Sequence, residues 1–263
     1  MALDRPNTDA TRKSEELEMR NVSIADLKEA LVLGIDDFNA MPSHAVFLVV
    51  IYPVVGLTLF GLVSNYDLLQ LLFPLISGFA CLGPVTALAM YELSRHREKH
   101  VPTSWQDMRK IFKTPSIGAI IELSLLLLII FILWMGSAQT IYWIYFGDSE
   151  TESMTGFVNQ VLFTSAGWSM ILVGTAVGFV FAVGVFWITV VSFPLLLDRN
   201  VSATNAVITS ARVCLKNPGT MTVWGLTIVA LLVLGSLPAL VGLAVVLPIL
   251  GHASWHLYRK AVV

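Results

Sequence analysis

A stretch of the sequence without any charged residue, 217–258, places the strongest constraint on how this chain can fold. A helix needs roughly 20 predominantly apolar residues to cross the hydrocarbon core of a bilayer, because each backbone N–H and C=O must be bonded within the chain there. The stretch is about twice that length, and Pro238 lies near its middle. It therefore predicts a transmembrane helical hairpin with spans at 220–234 and 239–255.

The whole sequence is unusually apolar. Its 263 residues are 56% hydrophobic and only 13% charged, whereas soluble domains carry about 25% charged residues. By the same length criterion, four further spans are predicted at 45–62, 68–91, 117–146 and 168–197. The fold class is therefore an all-α polytopic membrane helical bundle of six transmembrane helices. The six spans pair into hairpins at about 45–91, 117–197 and 220–256.

The residues that precede the first span are polar and acid-rich. They lack a basic segment followed by a short apolar run, so no cleavable signal peptide is expected. Residues 1–22 are predicted to form a disordered cytoplasmic tail, and residues 23–260 a single six-helix transmembrane domain. Cys81 lies in an apolar run and Cys214 in a polar connection, so both are expected to be free thiols.

The positions of the charged residues predict the orientation of the chain in the membrane. Lys and Arg accumulate in cytoplasmic loops. With six spans and a cytoplasmic N-terminus, every Lys and Arg of the chain falls on one side of the membrane. The charged residues that fall on the opposite side are all acidic, namely Asp67, Asp148, Glu150 and Glu152. Both termini are therefore expected in the cytoplasm.

The second and sixth predicted spans resemble each other. Residues 73–95 align without gaps to residues 237–259. The identical pairs include Pro74 with Pro238, Pro84 with Pro248, and Arg95 with Arg259. Two prolines and a terminal arginine at matching positions are not readily explained by apolar composition alone. We interpret the match as an internal repeat.

The segments before the first, third and fifth spans share a plan. Each reaches a proline, which can end one helix and begin the next. The serines at their starts, Ser23, Ser104 and Ser202, predict helix caps, and in the first segment Ser23 and Asp26 form a capping-box pattern. Apolar residues at helical spacing follow, namely Ile24, Leu27, Leu31, Ile35 and Phe38. The pattern predicts three units of interfacial helix plus hairpin, arranged as parallel repeats about the membrane normal.

Two interpretations are open for a histidine pair near the end of the last span. His252 and His256 are spaced i, i+4, so on a helix both could ligate haem or a metal. No third ligand is evident, however. The alternative is an aromatic and basic belt at the headgroups, without any cofactor or metal, formed by Trp255, His256, Tyr258, Arg259 and Lys260.

Further polar residues are candidates for structural or functional sites. In the repeat alignment Glu92 corresponds to His256, so Glu92 could pair with His256 or Arg259 across the two repeats, and Arg95 lies beside it. Glu122 is the one acidic residue inside a predicted span, which suggests either a proton-coupled role or a side chain that reaches back to the cytoplasmic interface.

One more pattern concerns packing. Gly174, Gly178 and Ala182 recur every four residues and predict a face that another helix can approach closely.

Three motifs together resemble a known family. They are FPLISGFACLGPVTALAMYELSR at 73–95, VVSFPLLLDR at 190–199 and PILGHASWHLYRK at 248–260. Their combination is similar to a domain-of-unknown-function family of predicted integral membrane proteins from proteobacteria. The resemblance covers about 25–260 and implies a location in the bacterial inner membrane. It implies no activity.

The sequence lacks the motifs of nucleotide-driven transport, hydrolysis and nucleic-acid binding. The leading hypothesis is therefore a non-enzymatic scaffold, assembly or regulatory membrane protein. Its expected partners are the lipid bilayer and other membrane proteins or further copies of itself. A small-solute or proton-linked transporter using Glu122 is the alternative. A haem-binding accessory protein of a respiratory complex, with His252 and His256 as ligands, is a third hypothesis.

Overall fold

A computed structural model describes residues 17–41, 83–101, 114–147, 154–237 and 242–263, together with Gly61, Leu71, Pro74, Leu75 and Gly78. Within these residues the regular elements are α-helices, and Met19 and Val262 form one isolated antiparallel β-bridge. The all-α prediction is confirmed for this part of the chain.

The helices in the described ranges are α1 (Ile24–Ala40), α2 (Gly83–Thr86), α3 (Leu88–Glu98), α4 (Ile117–Phe146), α5 (Met154–Leu162), α6 (Ser165–Thr189), α7 (Ser192–Asp198), α8 (Ala203–Lys216), α9 (Pro218–Ser236) and α10 (Leu243–Ala261).

Three helical segments of the described chain are long and apolar enough to cross a membrane: α4, α6 with α7, and α9. They correspond to the third, fourth and fifth predicted spans. The first predicted span lies outside the described residues except Gly61, and only part of the second is described. α10 overlaps the sixth predicted span but is not among the three, since its second half carries histidines and basic residues.

Several helix starts form as the sequence predicts. Ser23 and Asp26 make the expected capping box, in which the Ser23 N–H donates to the Asp26 carboxylate at 2.8 Å. The Ser202 hydroxyl accepts from the Asn205 N–H at 3.2 Å and caps α8. Pro218 opens α9, where its missing N–H costs nothing. The predicted cap at Ser104 lies outside the described residues.

The best-packed part of the described chain lies at one end of the spans. There α3, α7 and α10 end, and α1 runs along the second half of α10. We call the packed residues of α1, α3, α7 and α10 the four-helix junction. Its fully buried side chains include Phe193, Leu195, Leu196, Trp255, Leu257 and Tyr258.

The spans themselves bury little. Ile129 of α4 is 55% exposed and Leu172 of α6 is 73% exposed. Apolar side chains exposed to this degree along three long helices match a lipid environment rather than water.

Trp134 explains how α4 and α6 approach each other. Its indole N–H donates to the Pro74 carbonyl at 2.9 Å, and its ring lies 5.6 Å from that of Phe181. A Cβ at Gly178 would stand only 2.9 Å from the Trp134 ring, whereas a Cβ at Gly174 would meet nothing within 4 Å. Of the predicted small-residue face, Gly178 therefore makes the close approach and Gly174 does not.

The last residues of the predicted tail make backbone hydrogen bonds to the rest of the chain. The Arg20 N–H donates to the Ala261 carbonyl, and the Val263 N–H to the Glu18 carbonyl, both at 2.9 Å. The Val22 N–H donates to the Asn217 side chain at 2.7 Å. Residues 18–22 are held because the end of α10 and the α8–α9 turn supply partners for their backbone groups.

Replacing Asn217 with alanine should lower the free energy of unfolding by about 2 kcal/mol. The buried Val22 N–H would lose its acceptor, and the Arg20 carbonyl would lose the Asn217 amide that donates to it at 3.2 Å. Thermal unfolding in detergent measures the effect. Asn205→Ala on the exposed side of α8 is the matched control, and equal midpoints for the two variants would contradict the prediction.

Candidate functional site

Asp37 of α1 lies at the centre of the four-helix junction. The buried residues of α1 recur on one face, which includes Leu27, Ala30, Gly34 and Asp37. Gly34 lets this face approach α10, since a Cβ there would stand 2.7 Å from the Ala253 nitrogen. The Asp37 side chain thereby reaches α3 and α10, and the residue is only 3% exposed.

The Asp37 carboxylate accepts hydrogen bonds from two other helices. From α3 it accepts the Ser94 hydroxyl at 2.5 Å and forms an ion pair with Arg97. From α10 it contacts His256 Nε2 at 2.8 Å. Ser94 in turn lies 2.8 Å from His252 Nδ1. One carboxylate therefore joins α1 to both α3 and α10.

This cluster brings together a serine, a histidine and an aspartate, but not in the arrangement of a hydrolase. A nucleophilic serine gives its proton to histidine and must reach a substrate. Here the Ser94 hydroxyl donates to Asp37, and its contact with His252 uses an oxygen lone pair. Ser94 and His252 are also both buried. The geometry serves to connect helices.

The charge of Asp37 is stabilised by its surroundings. Burial raises the pKa of this carboxyl, but the hydrogen bonds from His256, Ser94 and Arg97 outweigh burial and lower the pKa from 3.8 to about 2. The cluster therefore favours the ionised form of Asp37.

The contribution of Asp37 to stability should disappear as the pH falls from about 4 to about 2. Below 3.8 the carboxyl binds a proton in the unfolded chain before it does so in the folded chain, so acid favours unfolding. The loss amounts to about 2 kcal/mol, and the contribution is constant above about pH 5. Unfolding midpoints of the wild type and Asp37→Asn measured against pH test this, and parallel curves between pH 4 and pH 2 would contradict it.

A second polar group lies within α3 and corrects an expectation. Glu92 was expected to pair with His256 or Arg259, but it lies 3.1 Å from Arg95 Nε and 3.3 Å from His96 Nε2. These partners are three and four residues away on the same helix, a spacing that makes side chains neighbours on the helix surface. Arg95 also donates to the Leu197 carbonyl at the end of α7, at 2.6 Å.

A third polar group, formed by Trp255, Tyr258 and Arg259 of α10, differs from the predicted headgroup belt. Trp255 and Tyr258 are fully buried within the protein. The Trp255 indole donates to Glu98 at 3.1 Å, and the Tyr258 hydroxyl donates to Asp198 at 2.9 Å. Arg259 bridges the same two carboxylates at 3.0 and 3.4 Å. The prediction was wrong for these aromatic residues because carboxylates of α3 and α7 provide their partners.

The two histidines proposed as ligands both have protein partners. His256 contacts Asp37 and His252 contacts Ser94, so ligating haem iron through these nitrogens would break both contacts. Among the described residues, no three or more His, Cys, Asp or Glu side chains are placed to hold a metal ion. The haem hypothesis stays a prediction.

Glu122 does not join the junction. It lies on the exposed side of α4 beside the exposed Ile121 and Leu125. The groove between α4 and α6, about 210 Å³ in volume, is lined by apolar residues, namely Ile130, Val180, Phe181, Gly184, Val185 and Ile188. Both the proton-coupled and the interfacial roles of Glu122 stay predictions.

Sequence reasoning missed Asp37 and Ser94. Asp37 lies three residues after Gly34, on the same face of α1 as Leu27 and Ala30. A carboxylate on an otherwise apolar helix face was the available signal, since such a group needs a buried partner. Nothing in the pattern around Ser94 marks it.

Comparison with known proteins supports the membrane assignment. The model of the family DUF2189, described as a predicted integral membrane protein, matches residues 72–198, just under half of the chain. This segment contains α3, α4, α6 and α7 but neither α1 nor α10. No curated protein and no solved structure matches the chain. With its apolar helices, the chain is an integral membrane protein whose residues 72–198 match the DUF2189 family.

Proposed function

We propose that this protein is a non-enzymatic scaffold, assembly or regulatory protein of the bacterial inner membrane. It has six spans in three hairpin units, and both termini are cytoplasmic. The observation that carries the proposal is the four-helix junction, in which six polar side chains of α10 contact partners on other helices, namely His252, Trp255, His256, Tyr258, Arg259 and Lys260.

The pairing in the junction supports a structural role. His256 contacts Asp37 of α1, Arg259 contacts Glu98 and Asp198, and Lys260 lies 2.8 Å from Glu29. Together these contacts join α10 to α1, α3 and α7, so they fix the ends of four helices relative to one another. Breaking one partner of such a pair is costly when the other is buried.

The repeat finds support in the two aligned arginines. Arg95 donates to the Leu197 carbonyl at 2.6 Å, and Arg259 donates to the Asp198 carboxylate at 3.4 Å. Both repeat-related side chains therefore bind the last residues of α7. Contacts from repeat-related positions to the same helix end favour a relation between the second and sixth spans.

The positions of the basic residues favour the cytoplasmic orientation. Arg95, Arg97, Arg199 and Arg259 all lie where α3, α7 and α10 end. Lys and Arg concentrate on the cytoplasmic side of membrane proteins. These positions support a junction on the cytoplasmic side.

The outer surface of α4 favours contact with another membrane protein or a second copy. Ile121, Leu125 and Ile129 are each more than half exposed along it. Glu122 lies on the same exposed side, where a partner can pair with its carboxylate. A transporter needs polar groups that line a path, and Glu122 on the outside of α4 fits that role poorly.

Purification of the full chain in native lipid tests the proposal. A scaffold should retain a specific membrane protein at fixed stoichiometry, and vesicles containing the purified chain should show no proton or solute flux. Proton flux that Glu122→Gln abolishes, with normal expression and an unchanged unfolding midpoint, would contradict the proposal and establish the transporter. A Soret band in the purified sample would establish haem binding instead.

A further inference from the structure

The outward face of α8 combines apolar side chains with a cation. Ile208 is 42% exposed and Leu215 is 63% exposed, and the exposed Arg212 lies between them on the same side of the helix. The opposite side of α8, including Ala206, is buried against neighbouring helices. The outward face of α8 therefore carries both apolar and basic side chains, and both point away from the protein.

The connections of α8 place it at the membrane surface. It begins after α7, which ends the fourth predicted span at Asp198, and it ends where α9 begins the fifth at Pro218. The start of α4 lies at the same level, since the Ser116 hydroxyl donates to the Arg199 carbonyl at 3.0 Å. α8 packs against α4, α6, α7 and α9. Its exposed side chains are therefore at the depth of lipid headgroups.

The charge of this segment is entirely positive. Residues 199–216 contain Arg199, Arg212 and Lys216 and no acidic residue. Lys216 donates to the Met19 carbonyl at 2.6 Å, whereas Arg212 has no ion-pair partner within the described ranges. A cation at this depth attracts anionic lipids, and neighbouring apolar side chains enter the acyl boundary.

We propose that the Ile208, Arg212 and Leu215 face of α8 binds an anionic phospholipid of the surrounding bilayer. The Arg212 guanidinium pairs with the lipid phosphate, and Ile208 and Leu215 contact the glycerol and upper acyl region. The inference is independent of any protein partner.

The exposed face of α1 is a natural comparison. It also exposes apolar residues around a cation, with Ile24, Val32 and Ile35 near Lys28. The exposed Asp36, however, lies on the same outward side of α1 and opposes anionic lipid there. Lys28→Gln therefore removes an exposed cation without removing the proposed lipid contact.

The test places a fluorophore at Thr204→Cys, an exposed position one turn before Ile208, in the full chain with Cys81 and Cys214 replaced by alanine. The labelled protein is reconstituted in phosphatidylcholine vesicles that contain spin-labelled phosphatidylglycerol or spin-labelled phosphatidylcholine as quencher. Phosphatidylglycerol should reach half-maximal quenching at about a fivefold lower mole fraction. Arg212→Gln should remove this preference, high salt should weaken it, and Lys28→Gln should leave it unchanged.

Each other outcome overturns the proposal. Equal quenching by the two lipids, or a preference that survives Arg212→Gln, excludes recognition by this guanidinium. Quenching by aqueous iodide but by neither lipid would place the face in water. A label shielded from both iodide and lipid, in a sample with the mass of a dimer, would assign the face to a second copy. Circular dichroism of each variant confirms that the helices are intact.

Discussion

Replacement of Asp37 by alanine is expected to lower the free energy of unfolding by about 3 kcal/mol or more. The change removes the acceptor of Ser94 and His256 and the counter-charge of Arg97 while these groups remain in the junction. Ser94 is buried, so its hydroxyl cannot turn to water for a new partner. Thermal and denaturant unfolding of the full chain in detergent measure the loss.

Asp36→Ala is the matched control for this prediction. Asp36 precedes Asp37 on the same helix but is exposed, and surface substitutions of this kind change stability by about 0.5 kcal/mol or less. Asp37→Asn should fall between the two variants, because an amide still accepts one hydrogen bond but carries no charge. If Asp36→Ala and Asp37→Ala unfolded at the same midpoint, Asp37 would not hold the junction together.

The spans were the most predictable part of the fold. The third predicted span and α4 share the bounds 117 and 146, because a long apolar run flanked by polar residues determines a membrane helix by length alone. The fourth differs. The predicted span continues to residue 197, whereas the structure turns at Val190 and Val191 between α6 and α7. Pro194 accounts for that turn, because proline has no N–H to donate to the carbonyl four residues earlier, which is that of Val190.

The junction was less predictable, for two physical reasons. First, its partners are distant in sequence: Asp37 is 57 residues from Ser94 and 219 from His256. Second, aromatic and basic residues at the end of a span suit lipid headgroups and buried carboxylates equally well. Trp255 and Tyr258 bind carboxylates of the protein and not lipid headgroups, because α3 and α7 bring Glu98 and Asp198 to them.

Substitution of Gly34 by valine is expected to separate α1 from α10 and to lower the free energy of unfolding by about 3 kcal/mol. Even the Cβ of alanine would stand 2.7 Å from the Ala253 nitrogen and 2.9 Å from the Ile249 carbonyl oxygen. Both are backbone atoms of a helix, so they cannot move aside as a flexible side chain can. Gly174→Val on α6, where an added Cβ would meet nothing within 4 Å, is the control for the change of residue type.

The position of Gly34 also links this prediction to Asp37. If the close approach at Gly34 is what brings the carboxylate to Ser94 and His256, Gly34→Val already weakens those contacts. Adding Asp37→Ala should then cost less than it does in the wild type, by about 1 kcal/mol or more. The Gly34→Val variant should likewise lose part of the acid sensitivity expected from the Asp37 pKa of about 2. Strict additivity of the two substitutions would mean that helix packing and the polar cluster stabilise the junction independently.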